Sequence, residues 1–183
     1  VAENKNCDTE VLKDIIDETD DSWVLESVAQ NPNCDTAILK DIFDKNNGWN
    51  VLETIVQNPN CDTEVLKDIV DKTDNSWVDA SWVITTIAQN PNCDTEMLKD
   101  IVNKTNDEDV LEAVAQIKNC DTEVLKDIVN KTDDADVLKA VARNKNCDIE
   151  LLDKIESKIE DKSSNVTLFE TIESRREELL SEI

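Results

Sequence analysis

The chain has 183 residues, and its 43 acidic side chains outnumber 19 basic ones to give a net charge of −24. Binding to phosphate backbones requires clustered lysine and arginine, and an anionic membrane surface would repel this charge, so direct nucleic-acid binding and membrane binding are both excluded. A basic protein surface or a divalent cation is the natural electrostatic complement. With no signal peptide and no run of membrane-spanning length, we expect a cytoplasmic protein.

A Cys-Asp pair recurs along the chain, 27 residues apart in every step but one, which is 32 residues long. The cysteines are Cys7, Cys34, Cys61, Cys93, Cys120 and Cys147. A fixed period in this range is typical of a solenoid, in which one two-helix unit stacks on copies of itself. The sequence therefore predicts an all-α solenoid of about six 27-residue repeats over residues 1–162, with a C-terminal capping helix over residues 163–183. Because residues 1–4 align with 28–31, we expect the chain to begin in the last turn of a helix and to be a piece of a longer chain.

Each repeat carries two helical patterns. Val11, Leu12, Ile15 and Ile16 form one apolar stripe of a first helix, and the same stripe returns in later copies. The Asp or Thr after each cysteine is expected to cap this helix, and Lys40 and Asp44 to pair on its solvent side at i, i+4. The second pattern spans only two to three turns, so it fits either an α-helix or a 3₁₀ helix. An Asn-Pro-Asn turn follows it, whose asparagines are predicted to bind turn backbone from repeat to repeat.

The cysteines occupy one site in every repeat, and packed helices lie roughly 8 to 10 Å apart, whereas a disulfide requires Cα atoms within about 7 Å. We therefore interpret them as reduced, small, semi-buried residues of an intracellular protein.

The segments VAQNPNCDTEVLKDIV and VAENKNCDTEVLKDII resemble the leucine-rich repeat variant family over residues 1–152. The resemblance implies a right-handed superhelix of α-helices alternating with α or 3₁₀ helices. Two departures are a Cys-Asp pair in place of the usual Thr-Pro and a longer repeat. The iron–sulfur module found beside some family members has no counterpart here, because no two cysteines lie close in sequence.

Catalysis and cofactors are disfavoured by composition. The chain has no histidine, no tyrosine and a single glycine, Gly48. It therefore lacks a base to activate a thiol and a glycine loop to hold phosphate. We expect no enzyme activity and no cofactor. Calcium is the better small-ligand candidate, through Asp17, Asp20 and Asp21 or through Asp133, Asp134 and Asp136, although neither set has EF-hand spacing.

Two columns of aligned positions are candidates for partner binding. One reads Trp23, Asn50, Trp82, Asp109 and Asp136, with Trp49 one residue earlier and Trp77 in the five-residue insertion of the long copy. A position that accepts Asn and Asp is near the surface, so these tryptophans are candidate interface anchors. The alternative is that they stack on neighbouring loops and staple repeats together. The other column lies on the outer side of the second helix and comprises Gln30, Gln57, Gln89, Gln116 and Arg143, with Glu26, Glu53, Thr85, Glu112 and Lys139 one turn earlier.

These features predict a non-enzymatic scaffold or adaptor that binds a basic protein surface through its acidic, tryptophan-bearing face. One alternative is an acidic mimic of DNA that inhibits a nucleic-acid-binding protein. Another is a structural repeat segment of a larger protein.

Overall fold

The computed structural model describes residues 2, 4–46, 48–72, 80–118, 120–159 and 165–181. Within these residues the chain forms twelve α-helices and no β-strand. They fall into two compact units, Val1–Asp94 and Thr95–Ile183, each of which is a stack of two-helix repeats. The predicted all-α repeat fold is confirmed.

The first unit contains α1 to α6, at Thr9–Asp17, Ser22–Ala29, Thr36–Lys45, Trp49–Gln57, Thr63–Lys72 and Ala80–Gln89. The second unit contains α7 to α12, at Thr95–Lys104, Glu108–Ala115, Thr122–Lys131, Ala135–Arg143, Ile149–Lys158 and Val166–Ser181. Odd-numbered helices are the first helices of the repeats and pack on the next odd-numbered helix of the same unit. Even-numbered helices do the same, and α12 packs on both α10 and α11, as a cap does. The second helices are α-helical, which resolves the choice between α and 3₁₀ for the described part of the chain.

The core of each unit lies between successive repeats. The stripe leucines Leu12, Leu39 and Leu66 of the first helices are fully buried. Val11 is 38% exposed although its counterpart Val65 is buried, because no described helix lies before α1. Burial of the stripe supplies most of the stabilisation, as expected for short helices that would be marginal alone.

Aspartates cap the helices at their N-termini. The Asp8 carboxylate accepts a hydrogen bond from the Val11 amide at 2.9 Å, and Asp35 accepts from Ile38 at 3.0 Å. The predicted caps after the cysteines are thus confirmed, and aspartate rather than threonine supplies the oxygen. A second series caps α2, α8 and α10, where Asp21, Asp107 and Asp134 accept from backbone amides, whereas Gly48 precedes α4 without a side-chain cap.

In four of the turns, a pair of asparagines binds the preceding repeat, whereas Ile117 stands at the first of these positions in the turn before Cys120. The Asn58 Nδ2 donates to the carbonyl oxygens of Ala29 at 2.6 Å and Asn31 at 3.4 Å, and its own Oδ1 accepts from the Asn60 amide at 2.8 Å. The Asn60 Nδ2 donates to the carbonyl of Cys34 at 2.9 Å. Asn31 and Asn33, Asn90 and Asn92, and Asn144 and Asn146 repeat this arrangement. The predicted repeat-to-repeat bonding is confirmed.

Two further contacts between repeats were not predicted. The Thr36 hydroxyl donates to the Asn60 carbonyl at 2.6 Å, and Thr122 makes the equivalent bond to Asn146 at 2.8 Å. The Lys131 ammonium, at the end of α9, donates to carbonyls of the preceding repeat at 2.8 and 2.9 Å.

Lys40 and Asp44 were predicted to pair with each other, but each of them contacts the next repeat instead. Lys40 lies 2.8 Å from Glu64 and 3.7 Å from Asp68, and Asp44 lies 3.3 Å from Lys72. Because the repeats stack, each lysine lies closer to a carboxylate of the neighbouring repeat than to the carboxylate four residues away on its own helix.

Candidate binding face

The solvent-exposed side of the even-numbered helices, called here the second-helix face, is built from three positions per helix. In α2 these are Trp23, Glu26 and Gln30, and the same positions recur in α4, α6, α8 and α10. They are spaced three and four residues apart, which places them on one side of a helix, while Leu25 and Val28 point to the core.

The tryptophans differ widely in exposure. Trp23 is 78% exposed and Trp82 is 43% exposed, which confirms the prediction that this column lies at the surface. Trp49, one residue earlier in its repeat, is half-buried. Trp77 lies outside the described residues.

The glutamines Gln30, Gln57, Gln89 and Gln116 are all exposed at the ends of their helices. The Gln57 Nε2 donates to the Glu53 carboxylate at 3.0 Å, and Gln116 donates to Glu112 at 2.9 Å. Each bond joins side chains one helical turn apart and holds the carboxylate against the face of its helix.

A cleft of about 370 Å³ lies between α4 and α6, and we call it the first-unit cleft. It is lined by Glu53, Val56, Gln57, Trp82, Thr86, Gln89, Asn90 and Pro91. Three predicted site residues, Trp82, Gln57 and Gln89, thus lie together, whereas Trp23, Trp49 and Gln30 do not line it. The apolar contribution of the exposed Pro91 was not predicted. The signal was present, because Pro91 lies two residues after Gln89 in the turn that follows the helix.

The second-unit cleft, between α8 and α10, has a volume of about 400 Å³ and uses the same positions. Its lining is Glu112, Ala115, Gln116, Asp136, Lys139, Ala140, Arg143 and Asn144. Asp136 stands where Trp82 stands in the first-unit cleft, and Arg143 stands where Gln89 does. Lys139 lies 3.7 Å from Asp136. The two clefts therefore share their architecture and differ in charge and aromatic content.

Cys34, Cys61 and Cys120 are poor nucleophiles in the folded protein. Burial, with a smaller contribution from the adjacent aspartate, raises the pKa of Cys61 and of Cys120 to about 12. Burial likewise raises the pKa of Cys34 to about 12. These thiols are protonated at neutral pH, whereas reactive cysteines have lowered pKa values.

Several of the aspartates considered for calcium make contacts within the protein. Asp21 and Asp134 cap α2 and α10, and the Asp133 carboxylate lies 2.6 Å from the Lys158 ammonium. Among the described residues, no three histidine, cysteine, aspartate or glutamate side chains are grouped closely enough to hold a metal ion. None of the described helices combines the length and apolar character needed to cross a membrane.

The chain matches no protein-family model, no curated protein and no solved structure with which it was compared.

Proposed function

We propose that the chain is a non-enzymatic protein-binding module, and that the second-helix face of the Val1–Asp94 unit contacts the partner. The observation that carries the proposal is the exposure of two tryptophans on this face, 78% for Trp23 and 43% for Trp82. Large aromatic side chains left in water are the commonest anchors of protein interfaces. Membership of the leucine-rich repeat variant family and a cytoplasmic location belong to the same proposal.

The charge of the chain favours a basic partner. With a net charge of −24, the protein attracts cationic surfaces over a distance set by the ionic strength. Rim charges of this kind raise the association rate more than the affinity, so the tryptophans are assigned the larger share of the binding free energy.

A second candidate function, an acidic mimic of nucleic acid, is favoured by the same net charge. The two candidates differ in what carries the binding free energy. A mimic would bind chiefly through carboxylates, and its affinity would fall steeply with salt. A tryptophan-anchored interface would keep most of its affinity in salt and lose it when the rings are removed.

The test is capture of partners from native lysate with three immobilised chains: the parent, Trp23→Ala with Trp82→Ala, and the control Val166→Ala with Leu180→Ala. The control removes two apolar side chains that are 50% and 57% exposed on α12. We expect a stoichiometric partner that survives high salt, is lost with the tryptophan variant and is kept by the control. A nucleic-acid-binding partner released by salt and kept by both variants would favour mimicry instead. Empty capture with the parent would overturn both and favour a structural repeat segment.

A further inference from the structure

We infer that the first-unit cleft binds a cationic side chain, an arginine or a lysine in a basic protein segment, between the Trp82 ring and the Glu53 carboxylate. The inference rests on the proposed protein-binding function and names the chemistry that the partner must present.

The cleft combines an aromatic face with a carboxylate and has no cation of its own. Trp82 is 43% exposed within the lining, and Glu53 lies on the facing helix. Among the described residues, no lysine or arginine lies within ion-pair distance of Glu53 or over the Trp82 ring. A cation placed over a tryptophan ring is attracted by its π electrons, most strongly when the site is partly desolvated.

The Glu53 carboxylate is held in position before any partner arrives. Its Oε1 accepts from the Gln57 Nε2 at 3.0 Å, which leaves the other oxygen available to a donor. Pro91, which is exposed, supplies an apolar wall that suits the methylene stem of arginine or lysine. The lining therefore has a group for each part of an arginine or lysine side chain. The Trp82 ring faces the charge, the apolar wall faces the methylene stem, and the Glu53 carboxylate accepts from the N–H donors.

The second-unit cleft provides an internal comparison. It keeps the glutamate and its glutamine partner, Glu112 and Gln116, at 2.9 Å. It has Asp136 in place of the ring and carries its own cations, Lys139 and Arg143. A cationic ligand would meet like charges there, so only the first-unit cleft has the features that attract it.

The spacing of the repeats also limits the shape of the partner. Glu26 occupies in α2 the position that Glu53 occupies in α4, and these two helices are packed neighbours. Neighbouring helix axes lie roughly 8 to 10 Å apart, and a polyproline II chain advances about 9 Å per turn of three residues. Basic residues three apart in an extended segment therefore match Glu53 and Glu26 together.

The probe is a fluorescein-labelled Arg-Pro-Pro-Arg-Pro-Pro-Arg peptide, titrated with the full chain and followed by anisotropy at about 0.15 M salt, where exposed charges are screened beyond roughly 8 Å. We expect Trp82→Ala and Glu53→Gln each to weaken binding about tenfold, consistent with a partly desolvated cation contact. The control Glu112→Gln removes the same carboxylate from the second-unit cleft, and the control Leu180→Ala removes a large apolar side chain that is 57% exposed on α12. Each should change the affinity less than twofold. The citrulline version of the peptide, which has the same shape without the charge, should not bind.

Equal effects of Glu53→Gln and Glu112→Gln would mean that net charge alone attracts the peptide, and would overturn the inference. Equal affinity for the citrulline peptide would overturn it as well. The proposed function is judged separately by the capture experiment: if the tryptophan variant loses its partner while the peptide ignores Glu53→Gln, the face binds a partner of different chemistry.

Discussion

The Nδ2 atom of Asn58 lies 2.6 Å from the carbonyl oxygen of Ala29, which ends the second helix of the preceding repeat. The last carbonyls of a helix have no partner within it, and a buried one without a hydrogen bond is costly. Asn58 is itself only 5% exposed, so the bond satisfies two buried groups at once. The turn of one repeat thereby caps the helix of the one before it.

Replacing Asn58 with alanine should destabilise the protein by about 2 to 3 kcal/mol, because it leaves the Ala29 carbonyl and the Asn60 amide without their partner. Denaturant unfolding followed by circular dichroism measures the effect. Asn50→Ala, at an exposed site in the same unit, is the control and should cost less than about 0.5 kcal/mol. Equal costs for the two variants would contradict the assigned role.

Replacing Leu66 with alanine should destabilise the array by about 2 to 5 kcal/mol through the cavity it leaves, since Leu66 is fully buried. Leu66→Asp should be more severe, because it buries a charge without a partner. The neighbouring exposed Lys67→Ala serves as the control. If thermal unfolding of Leu66→Asp matched that of the parent chain, the stacked-repeat core would be wrong.

Stability should fall as pH rises above about 9. Burial raises the pKa of Cys34 and of Cys120 from 9.0 to about 12, so the folded state holds these protons more tightly than the unfolded state. This stabilisation is complete below the unfolded value and is lost as pH rises through the folded value. Denaturant midpoints at pH 8 and pH 10.5 measure it.

In that comparison, a Cys34→Ala, Cys120→Ala variant should lose less stability between the two pH values than the parent chain. Lysine titration is common to both proteins and cancels in the difference. Identical losses would mean that these thiols do not govern the alkaline limit.

Arg176 should hold the last helix onto its unit. Its guanidinium lies 2.8 Å from Asp153 and 2.9 Å from Glu156 on α11, and 2.8 Å from Glu173 on α12. Arg176→Ala should cost about 1 kcal/mol, because a guanidinium that contacts three carboxylates is worth more than an isolated exposed pair. Hydrogen exchange of α12 amides should quicken, and the cost should shrink at about 1 M salt. Glu177→Ala, an exposed neighbour, should leave exchange unchanged.

Features that depend on neighbours along the chain could be predicted from the sequence. The stripe at Leu39 and Ile42 follows from helical periodicity, and the cap at Asp35 follows from its place before the stripe. The role of Asn58 could be inferred because a polar residue recurred at one position of a turn. The α-helical form of the second helices could not be, because a helix of eight to ten residues fits either pattern.

Most contacts that depend on how the repeats stack could not be predicted from the sequence. Lys131 binds carbonyls 26 and 28 residues back, and no local pattern marks such a bond. The same holds for the first-unit cleft. Trp82 and Gln57 were each identified as candidates, but only the packing of α6 on α4 brings them into one lining.

The 32-residue repeat shows that the asparagine bonds do not fix the length of a repeat. Asn90 binds the carbonyls of Val56 and Asn58, 34 and 32 residues back, where Asn58 reaches 29 and 27 residues back for the same two bonds. Each asparagine recognises only the copy immediately before it, and none depends on the total number of copies. Unequal recombination can therefore add or delete a whole repeat within an array without severing a bond in those that remain. Evolution can lengthen or shorten the binding face one helix at a time, and each new helix brings its own first-turn position on which a different side chain can be selected.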